Sequence, residues 1–102
     1  MNILLVCACG ASTGMLTTAM KRAMNEDEKN YLIEAKSLVE AKETIGKYDV
    51  VLLAPQIRYQ RKTVEKIANP INVPVMDIDS TSYAMCDGRK VLDDVKKFLK
   101  SY

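Results

Sequence analysis

The chain has 102 residues, of which 48% are hydrophobic and 27% are charged, and its formal net charge is +2. That length suits one domain over residues 1–102 with an ordinary hydrophobic core, and the balance of charge excludes an intrinsically disordered segment and a polybasic nucleic-acid binder. The apolar start of the chain is too short to span a bilayer and no basic region precedes it, so we expect no signal peptide and no direct membrane insertion.

The chain contains three cysteines, Cys7, Cys9 and Cys86, and no histidine. An odd number of cysteines, two of them one residue apart, is a poor layout for structural disulfides and favours a reducing, cytoplasmic compartment. The lack of histidine excludes three kinds of site within this chain: a Cys–His dyad, a Cys/His zinc site and a phosphohistidine carrier.

The first half of the chain predicts two strand–helix units. Residues 3–6 form a continuous apolar run, which is typical of a strand buried on both faces of a parallel sheet. Apolar residues then recur at helical spacing over 15–24. Residues 31–35 predict a strand of mixed polarity, which favours a sheet edge, and a second helical pattern runs over 37–45 and ends at Gly46.

The second half continues this alternation. Residues 50–53 are a second fully apolar run and predict a central strand, and 57–68 predict a helix with basic residues between its apolar positions. Residues 73–78 predict a short strand whose proline favours a sheet edge, and 91–99 carry the apolar stripe of an amphipathic helix. The pattern predicts an α/β fold with an open, mostly parallel four-stranded sheet and helices on both faces.

Short polar side chains are placed to cap some of these helices. Ser12 or Thr13 is expected to cap the first helix, and Asp87 the last. Asp77 and Asp79 follow the fourth strand, and no nucleotide-binding loop accompanies them. Helix capping or turn formation is therefore a better explanation for these two aspartates than a magnesium site.

A loop of small residues follows the first strand, with the sequence CACGAST over residues 7–13. Ligands of open parallel sheets bind beyond the carboxyl ends of the strands, so Cys7 is expected at the binding edge. Small residues let backbone N–H groups converge on an anion, and a helix N-terminus behind them favours both an anion and a thiolate. The hydroxyls of Ser12 and Thr13 can donate to phosphate oxygens. The loop thus favours a functional cysteine over a buried structural one.

The spacing is similar to that of the cysteine phosphatase loop, in which an arginine stands six residues after the cysteine. Here that position is Thr13. A phosphoryl group on Cys7 would therefore lack the bidentate guanidinium that stabilises charge in the transition state. We expect a loop that holds a phosphoryl group for onward transfer rather than one that hydrolyses it.

The chain resembles the IIB component of the bacterial sugar phosphotransferase system, in its lactose, cellobiose and chitobiose branch. The motifs that carry the resemblance are the apolar strand ending in Cys7 with Gly10, Ser12 and Thr13 behind it, the segment VVLLAPQI over residues 50–57, and Tyr83 followed by Asp87-Gly88. The resemblance implies the sheet order 2-1-3-4.

The resemblance also implies a phosphocysteine carrier. A phosphohistidine on a IIA partner would give its phosphoryl group to Cys7, and Cys7 would pass it to a sugar, of the β-linked disaccharide class, held by the IIC permease. Neither a cofactor, a metal nor a nucleic acid belongs to this scheme, and the protein would be cytoplasmic, associating with the membrane through IIC. The implied phosphate cradle consists of Ala8, Cys9, Gly10, Ala11, Ser12, Thr13 and Gly14.

Two alternatives stay open at this point. One is a small cysteine phosphatase, which Thr13 at the arginine position disfavours. The other is a thiol-based redox or metal module, because Cys9 stands where the family is expected to have a small residue without a thiol. A disulfide across one residue is geometrically unfavourable, and a zinc site needs further ligands.

Other side chains are expected near the loop. Arg58 and Arg61 begin the third predicted helix close to the same sheet edge, and we predict that they steer a phosphorylated, acidic partner. Gln56, Tyr59 and Tyr83 lie near predicted strand ends and can border the phosphate loop or dock a partner. Ordinary packing or surface positions explain them equally well.

Overall fold

The computed structural model describes residues 1–8 and 11–102, and it describes the side chains of all of these except residues 11 and 12. Over this part of the chain, four parallel strands form one sheet in the order 2-1-3-4, numbered along the sequence, as the resemblance implies. The strands are β1 (Asn2–Cys7), β2 (Leu32–Ser37), β3 (Val50–Leu53) and β4 (Val75–Asp77). The prediction of central first and third strands and of two edge strands is confirmed.

The described residues form five α-helices and four short 3₁₀ helices. The α-helices are α1 (Ala11–Ala23), α2 (Leu38–Thr44), α3 (Arg61–Ala68), α4 (Ser80–Ala84) and α5 (Gly88–Ser101). The 3₁₀ helices are Glu26–Glu28, Ile45–Lys47, Pro55–Gln60 and Asn69–Ile71. None of the described helices has the length and apolar character needed to cross a membrane.

Helices cover both faces of the sheet, so the fold has three layers. Successive side chains of a strand point to opposite faces. Ile3 and Leu5 of β1 accordingly pack in one hydrophobic cluster with residues of α1 and α5, whereas Leu4 and Val6 pack in a second cluster with residues of α2 and α3. All four side chains are fully buried. The apolar runs predicted as doubly covered strands are doubly covered in the structure.

The helix predicted over residues 57–68 is divided. A 3₁₀ helix over Pro55–Gln60 comes first, with a non-helical backbone at Ile57 (φ −117°, ψ 19°), and α3 begins only at Arg61. Widely spaced apolar positions do not distinguish the tighter 3₁₀ winding from the α-helix. The helix α4 is not predicted by the sequence pattern, because its five residues are too few to show a helical period.

The predicted capping aspartates are confirmed at two helices. The side chain of Asp79 accepts a hydrogen bond from the backbone N–H of Ser82 (3.0 Å) and caps α4. The side chain of Asp87 accepts one from Lys90 N–H (3.1 Å) and caps α5. Each carboxylate satisfies a backbone donor that the first turn of a helix leaves without an intrahelical partner.

The cap predicted for the first helix is wrong. α1 begins at Ala11, so Ser12 and Thr13 lie inside its first turn instead of preceding it. The helical pattern of apolar residues starts only at Met15, because the residues before it are small. Small residues carry little periodic signal, and the beginning of the helix was therefore placed too late.

Candidate functional site

The carboxyl ends of the strands meet along one edge of the sheet. In the parallel register, Cys7 of β1 lies opposite Ser37 of β2, and Val6 lies opposite Leu53 of β3. The pairing continues beyond β3, since Ala54 N–H donates to the carbonyl of Val6 (3.0 Å). The segments that follow the strands therefore gather around the end of β1, where the sequence analysis expected the site.

Cys7 is the last residue of β1, and only 2% of its surface is exposed. It is a free cysteine whose Sγ lies 3.9 Å from the carbonyl oxygen of Lys36, to which the thiol donates. It packs in the same cluster as its neighbour Val6 rather than on the opposite face, so the strand's alternation stops at the cysteine. Sequence reasoning missed Lys36, because a backbone carbonyl on a neighbouring strand leaves no signal in residue types.

The loop after Cys7 leads directly into α1. Ala8 is exposed in a bend, and residues 11–14 form the first turn of the helix. The predictions for Cys9 and Gly10 lie outside the described residues, as do those for the side chains of residues 11 and 12. Part of the predicted cradle is thus helical, and the first turn of a helix offers backbone N–H groups without intrahelical partners to an anion.

Three of the predicted side chains form one hydrogen-bond chain. Gln56 Nε2 donates to Tyr83 Oη (3.1 Å), and Tyr83 Oη lies 3.3 Å from Thr13 Oγ1. Thr13 is fully buried, and its carbonyl accepts a hydrogen bond from Thr17 Oγ1 (2.8 Å). These hydrogen bonds connect the segments that follow β3, β4 and β1.

The ring of Tyr83 lies between the two hydrophobic clusters. It is half-buried and packs against the α2/α3 cluster, which includes Cys7, as well as against the α1/α5 cluster. This ring therefore closes the end of the sheet, and its hydroxyl reaches the first turn of α1 at Thr13.

The two predicted docking arginines hold the edge of the sheet together. Arg58 donates to the carbonyl oxygen of Ile78 (2.7 Å), and Arg61 donates to the carbonyl oxygen of Val75 (3.0 Å). Arg61 also pairs with Asp77 at 3.0 Å, and 36% of each of these two side chains is exposed. Both arginines thus tie the segment after β3 to β4, which is a structural contact that the sequence analysis did not foresee.

Asp77, the last residue of β4, and Asp79, which follows it, are structural as well. Two hydrogen bonds from Ser82, donated by its backbone N–H and its hydroxyl, lower the pKa of Asp79, so this carboxylate is charged near neutral pH and is a poor proton donor. Asp77 pairs with Arg61 through Oδ2, while its Oδ1 is buried without a hydrogen-bond partner. The part of the chain with described side chains, which leaves out Cys9, brings together no group of three metal-binding residues.

Large apolar side chains are exposed after each of the four strands. We call Met15, Val39, Tyr59 and Met85 the apolar rim; their exposed fractions are 66%, 74%, 78% and 73%. Met15 lies in α1 and Val39 in α2, while Tyr59 and Met85 follow β3 and β4. Because each of these side chains follows the carboxyl end of a strand, we expect them near one edge of the sheet, where exposed apolar residues can form a surface on which another protein docks.

Residues 2–94 match the model of the family described as the lactose/cellobiose-specific IIB subunit of the PTS system. Among curated proteins, the chain is similar to the oligo-beta-mannoside-specific EIIB component of Bacillus subtilis (strain 168), with 36% identity over 90% of this chain and 89% of the relative. It is also similar to the galactose-specific EIIB component of Lactococcus lactis subsp. cremoris, with 38% identity over 88% of each chain.

A solved structure agrees with these matches. The cellobiose-specific phosphotransferase IIB component from Borrelia burgdorferi is 40% identical to this chain and superimposes on it with a TM-score of 0.73. The match covers 91% of this chain and 85% of the Borrelia chain. The chain is also similar, with 25% identity over 97% of its length, to part of the lactose-specific EIICB component of Streptococcus mutans. The match covers 18% of that longer protein. The family that the cysteine loop and the VVLLAPQI segment indicated is therefore confirmed.

Proposed function

Because the chain belongs to the lactose/cellobiose-specific IIB subunit family of the phosphotransferase system, we propose that it is a phosphoryl carrier whose acceptor atom is Cys7 Sγ. The observation that carries this proposal is the position of Cys7. It is a free cysteine that ends a central strand, a few residues before the first turn of α1. Ligands of such sheets bind at this edge, and a helix N-terminus stabilises the negative charge of a phosphoryl group.

The proposed reaction consists of two successive phosphoryl transfers. In the first step, the sulfur of Cys7 attacks the phosphorus of a phosphohistidine on a IIA partner; the S–P bond forms, the P–N bond breaks, and the thiol proton passes to the leaving imidazole. In the second step, a sugar hydroxyl attacks the same phosphorus; the O–P bond forms, the S–P bond breaks, and the hydroxyl proton returns to the sulfur. The backbone N–H groups after Cys7 hold the phosphoryl oxygens in both steps.

The surroundings of Thr13 support a carrier over a phosphatase. Thr13 occupies the position at which the phosphatase loop has its arginine, and it is fully buried with its hydroxyl against Tyr83. A longer arginine side chain at this buried position would have to displace the Tyr83 hydroxyl, which lies 3.3 Å from Thr13 Oγ1. Without this cation, the transition state for hydrolysis lacks its bidentate partner, and the phosphocysteine persists until an acceptor binds.

We further propose that the two partners approach the apolar rim. The donor is a IIA component and the acceptor is a sugar, of the β-linked disaccharide class, held by a IIC permease; the protein then works in the cytoplasm and meets the membrane through IIC. The similarity to part of an EIICB component supports the IIC partner. Relatives of nearly equal identity are named for an oligo-beta-mannoside and for galactose, which supports sugar selection by the permease rather than by this chain.

The test is the intact mass of the protein after incubation with phosphoenolpyruvate, the general phosphotransferase proteins and a matching IIA, near neutral pH. We expect one added phosphoryl group on the wild type and none on Cys7→Ser. The matched control is Cys86→Ser, which removes a second free cysteine and leaves the adduct in place. Release of the phosphoryl group by iodine identifies it as a thiophosphate ester.

The outcomes separate the candidate functions. An adduct on wild type, on Cys86→Ser and on Cys9→Ala, but not on Cys7→Ser, establishes the carrier. Steady release of inorganic phosphate from an aryl phosphate, abolished by Cys7→Ser, would instead identify a phosphatase. An absent adduct with several cognate IIA proteins, together with equal effects of losing Cys7 or Cys9, would identify the thiol module.

A further inference from the structure

We propose that Tyr83 is a positioning residue for phosphoryl transfer and acts through the hydroxyl of Thr13. This inference rests on the proposed function. It starts from the hydrogen-bond chain that runs from Gln56 Nε2 to Tyr83 Oη (3.1 Å) and from there to Thr13 Oγ1 (3.3 Å). Thr13 lies in the first turn of α1, where the predicted cradle ends, whereas Tyr83 lies in α4, 70 residues further along the chain.

Burial makes the Thr13 hydroxyl dependent on its protein neighbours. The residue is fully buried, and among the side chains that the structure describes Tyr83 is the partner of its Oγ1. A buried hydroxyl without a partner is costly, and a hydrogen bond in a poorly solvated site is stronger than one in water. Tyr83 therefore controls where the Thr13 hydroxyl points.

Gln56 sets the direction of the chain. The 3.3 Å separation of Tyr83 Oη and Thr13 Oγ1 allows either oxygen to donate; because the side-chain N–H of Gln56 already donates to Tyr83 Oη, we assign the phenol as the donor to Thr13 Oγ1. A threonine hydroxyl that accepts from Tyr83 keeps its own proton for a phosphoryl oxygen at the start of α1. If Thr13 donated to Tyr83 instead, its hydroxyl proton would not be available for a hydrogen bond to the phosphoryl group.

The hydrogen bond between Tyr83 and Thr13 can be removed without disturbing the packing of either side chain. Tyr83→Phe removes only the hydroxyl and keeps the ring against both hydrophobic clusters. Thr13→Val has nearly the same shape as threonine and also lacks only the hydroxyl. Since both variants break the same contact, their effects should not add when they are combined.

The experiment measures single-turnover transfer from phosphorylated IIA to this protein by rapid quench, over a range of IIA concentrations. We expect Tyr83→Phe and Thr13→Val each to lower the maximal rate about tenfold, the size expected for one hydrogen bond to a charged group. The half-saturating IIA concentration should stay unchanged, and the double variant should be no slower than the slower single variant. Urea unfolding establishes that each variant is folded during the assay.

A second pair of variants tests the direction of the hydrogen bonds. In Gln56→Glu the carboxylate can only accept, so the phenol donates its hydrogen bond to Glu and the hydrogen bond with Thr13 reverses its direction. We therefore expect a loss similar to that of Tyr83→Phe. In Gln56→Met the phenol keeps its proton but loses the donor that directs it towards Thr13, so we expect a rate between those of the wild type and Tyr83→Phe. Added salt would restore the Gln56→Glu rate if charge repulsion were the cause, because salt screens exposed charges; a reversed hydrogen bond is insensitive to salt.

The results distinguish this inference from the proposed function. If the wild type takes up a phosphoryl group but Tyr83→Phe stays within about twofold of it, or if the losses of the single variants multiply in the double variant, Tyr83 is not a positioning residue and the carrier function stands. If the wild type takes up no phosphoryl group at all, the carrier function and this inference fail together.

Discussion

Gly14 and Gly88 lie in the first turns of two helices, and their surroundings differ. Outside its chain neighbours and its own helix backbone, a Cβ atom built on Gly14 in α1 would meet no atom of the described residues within 4 Å. A Cβ atom on Gly88 in α5 would lie 2.4 Å from the carbonyl carbon of Ala19 and 2.4 Å from the nitrogen of Met20, both in the backbone of α1. Gly88 is thus needed for the close approach of two helices, whereas Gly14 borders open space at the cysteine edge.

We predict opposite effects on stability when alanine replaces these two glycines. Gly14→Ala should raise the free energy of unfolding by about 1 kcal/mol, because alanine has the higher helix propensity and nothing obstructs its methyl group. Gly88→Ala should lower it by about 1–3 kcal/mol, because backbone atoms of α1 cannot move away from the new methyl group. Urea unfolding of both variants measures the two effects, and a shift of both in the same direction would contradict the packing described here.

Residue types predicted the position of the site but not its contacts. An apolar strand that ends in Cys7 before a run of small residues was enough to place the cysteine at the carboxyl edge of the sheet. The hydrogen bond between Thr13 and Tyr83 joins residues 70 positions apart, and the contact between Arg61 and the Val75 carbonyl involves a backbone atom. Such contacts depend on how the elements pack, which the local pattern does not contain.

At the scale of elements, the sequence was most informative where burial is complete. The strand predicted over residues 50–53 is the observed β3 (Val50–Leu53), because a strand covered on both faces is a continuous apolar run. The edge strand β4 is shorter than predicted, Val75–Asp77 instead of 73–78, since Val73 and Pro74 precede the ladder. Edges and short helices carry mixed residues, and their bounds follow from tertiary contacts.

One buried carboxylate connects the segment after α1 to α5. Glu28 is fully buried and accepts two hydrogen bonds from Arg89, both 2.8 Å, and one from the backbone N–H of Asn25, also 2.8 Å. Lys96 forms a further ion pair with it. The hydrogen bonds from Arg89 hold the pKa of Glu28 well below its ordinary value of 4.5, although burial alone would raise it.

We predict that this carboxylate gives the protein a specific sensitivity to acid. A carboxyl group whose pKa is lower in the folded than in the unfolded state stabilises the fold above its unfolded-state pKa, and this contribution disappears as the pH falls. The free energy of unfolding of the wild type should therefore decrease from about pH 5 to about pH 2. In Glu28→Gln the value near neutral pH should already be lower by about 3 kcal/mol, because Arg89 and Lys96 lose their buried carboxylate and Arg89 keeps the more exposed Asp93, and the decrease in acid should be smaller.

Urea titrations at several pH values test this prediction. The matched control is Glu26→Gln in the same 3₁₀ helix, where the carboxylate is exposed and forms an ion pair with the neighbouring, exposed Lys29. Exposed ion pairs contribute little to stability, so this variant should follow the wild-type pH dependence. A Glu28→Gln protein as stable and as acid-sensitive as the wild type would show that the buried cluster does not hold α5 in place.

At the scale of the whole molecule, the two ends of the sheet differ in what they expose. The carboxyl edge carries Cys7, the hydrogen-bond chain to Gln56 and the apolar rim. A cleft of about 470 Å³ lies instead beside Met1 and the end of α5, among Asp27, Lys96 and Lys100, away from the cysteine. This cleft therefore does not mark the proposed chemistry, and a carrier that meets two proteins in turn needs an accessible edge more than a deep pocket.

The apolar rim leads to a prediction about partner binding that two tyrosines can test. Tyr59 in the rim is 78% exposed and Tyr102 at the end of α5 is 70% exposed, so the same substitution at both positions removes a similar surface at different places. We expect Tyr59→Ser to raise the half-saturating concentration of phosphorylated IIA about tenfold, since buried aromatic residues dominate binding at interfaces. Its maximal transfer rate should not change, because Tyr59 lies outside the hydrogen-bond chain to Thr13.

Tyr102→Ser should leave both the half-saturating concentration and the maximal rate at the wild-type values. Rapid-quench transfer over a range of IIA concentrations measures the two quantities separately, and urea unfolding should give the same midpoint for both variants, because neither side chain is buried in the free protein. Equal effects of the two substitutions would exclude the rim as the docking surface. A lower maximal rate in Tyr59→Ser with unchanged half-saturation would instead assign Tyr59 to the transfer step, since a residue that only docks the partner alters affinity and not the rate within the complex.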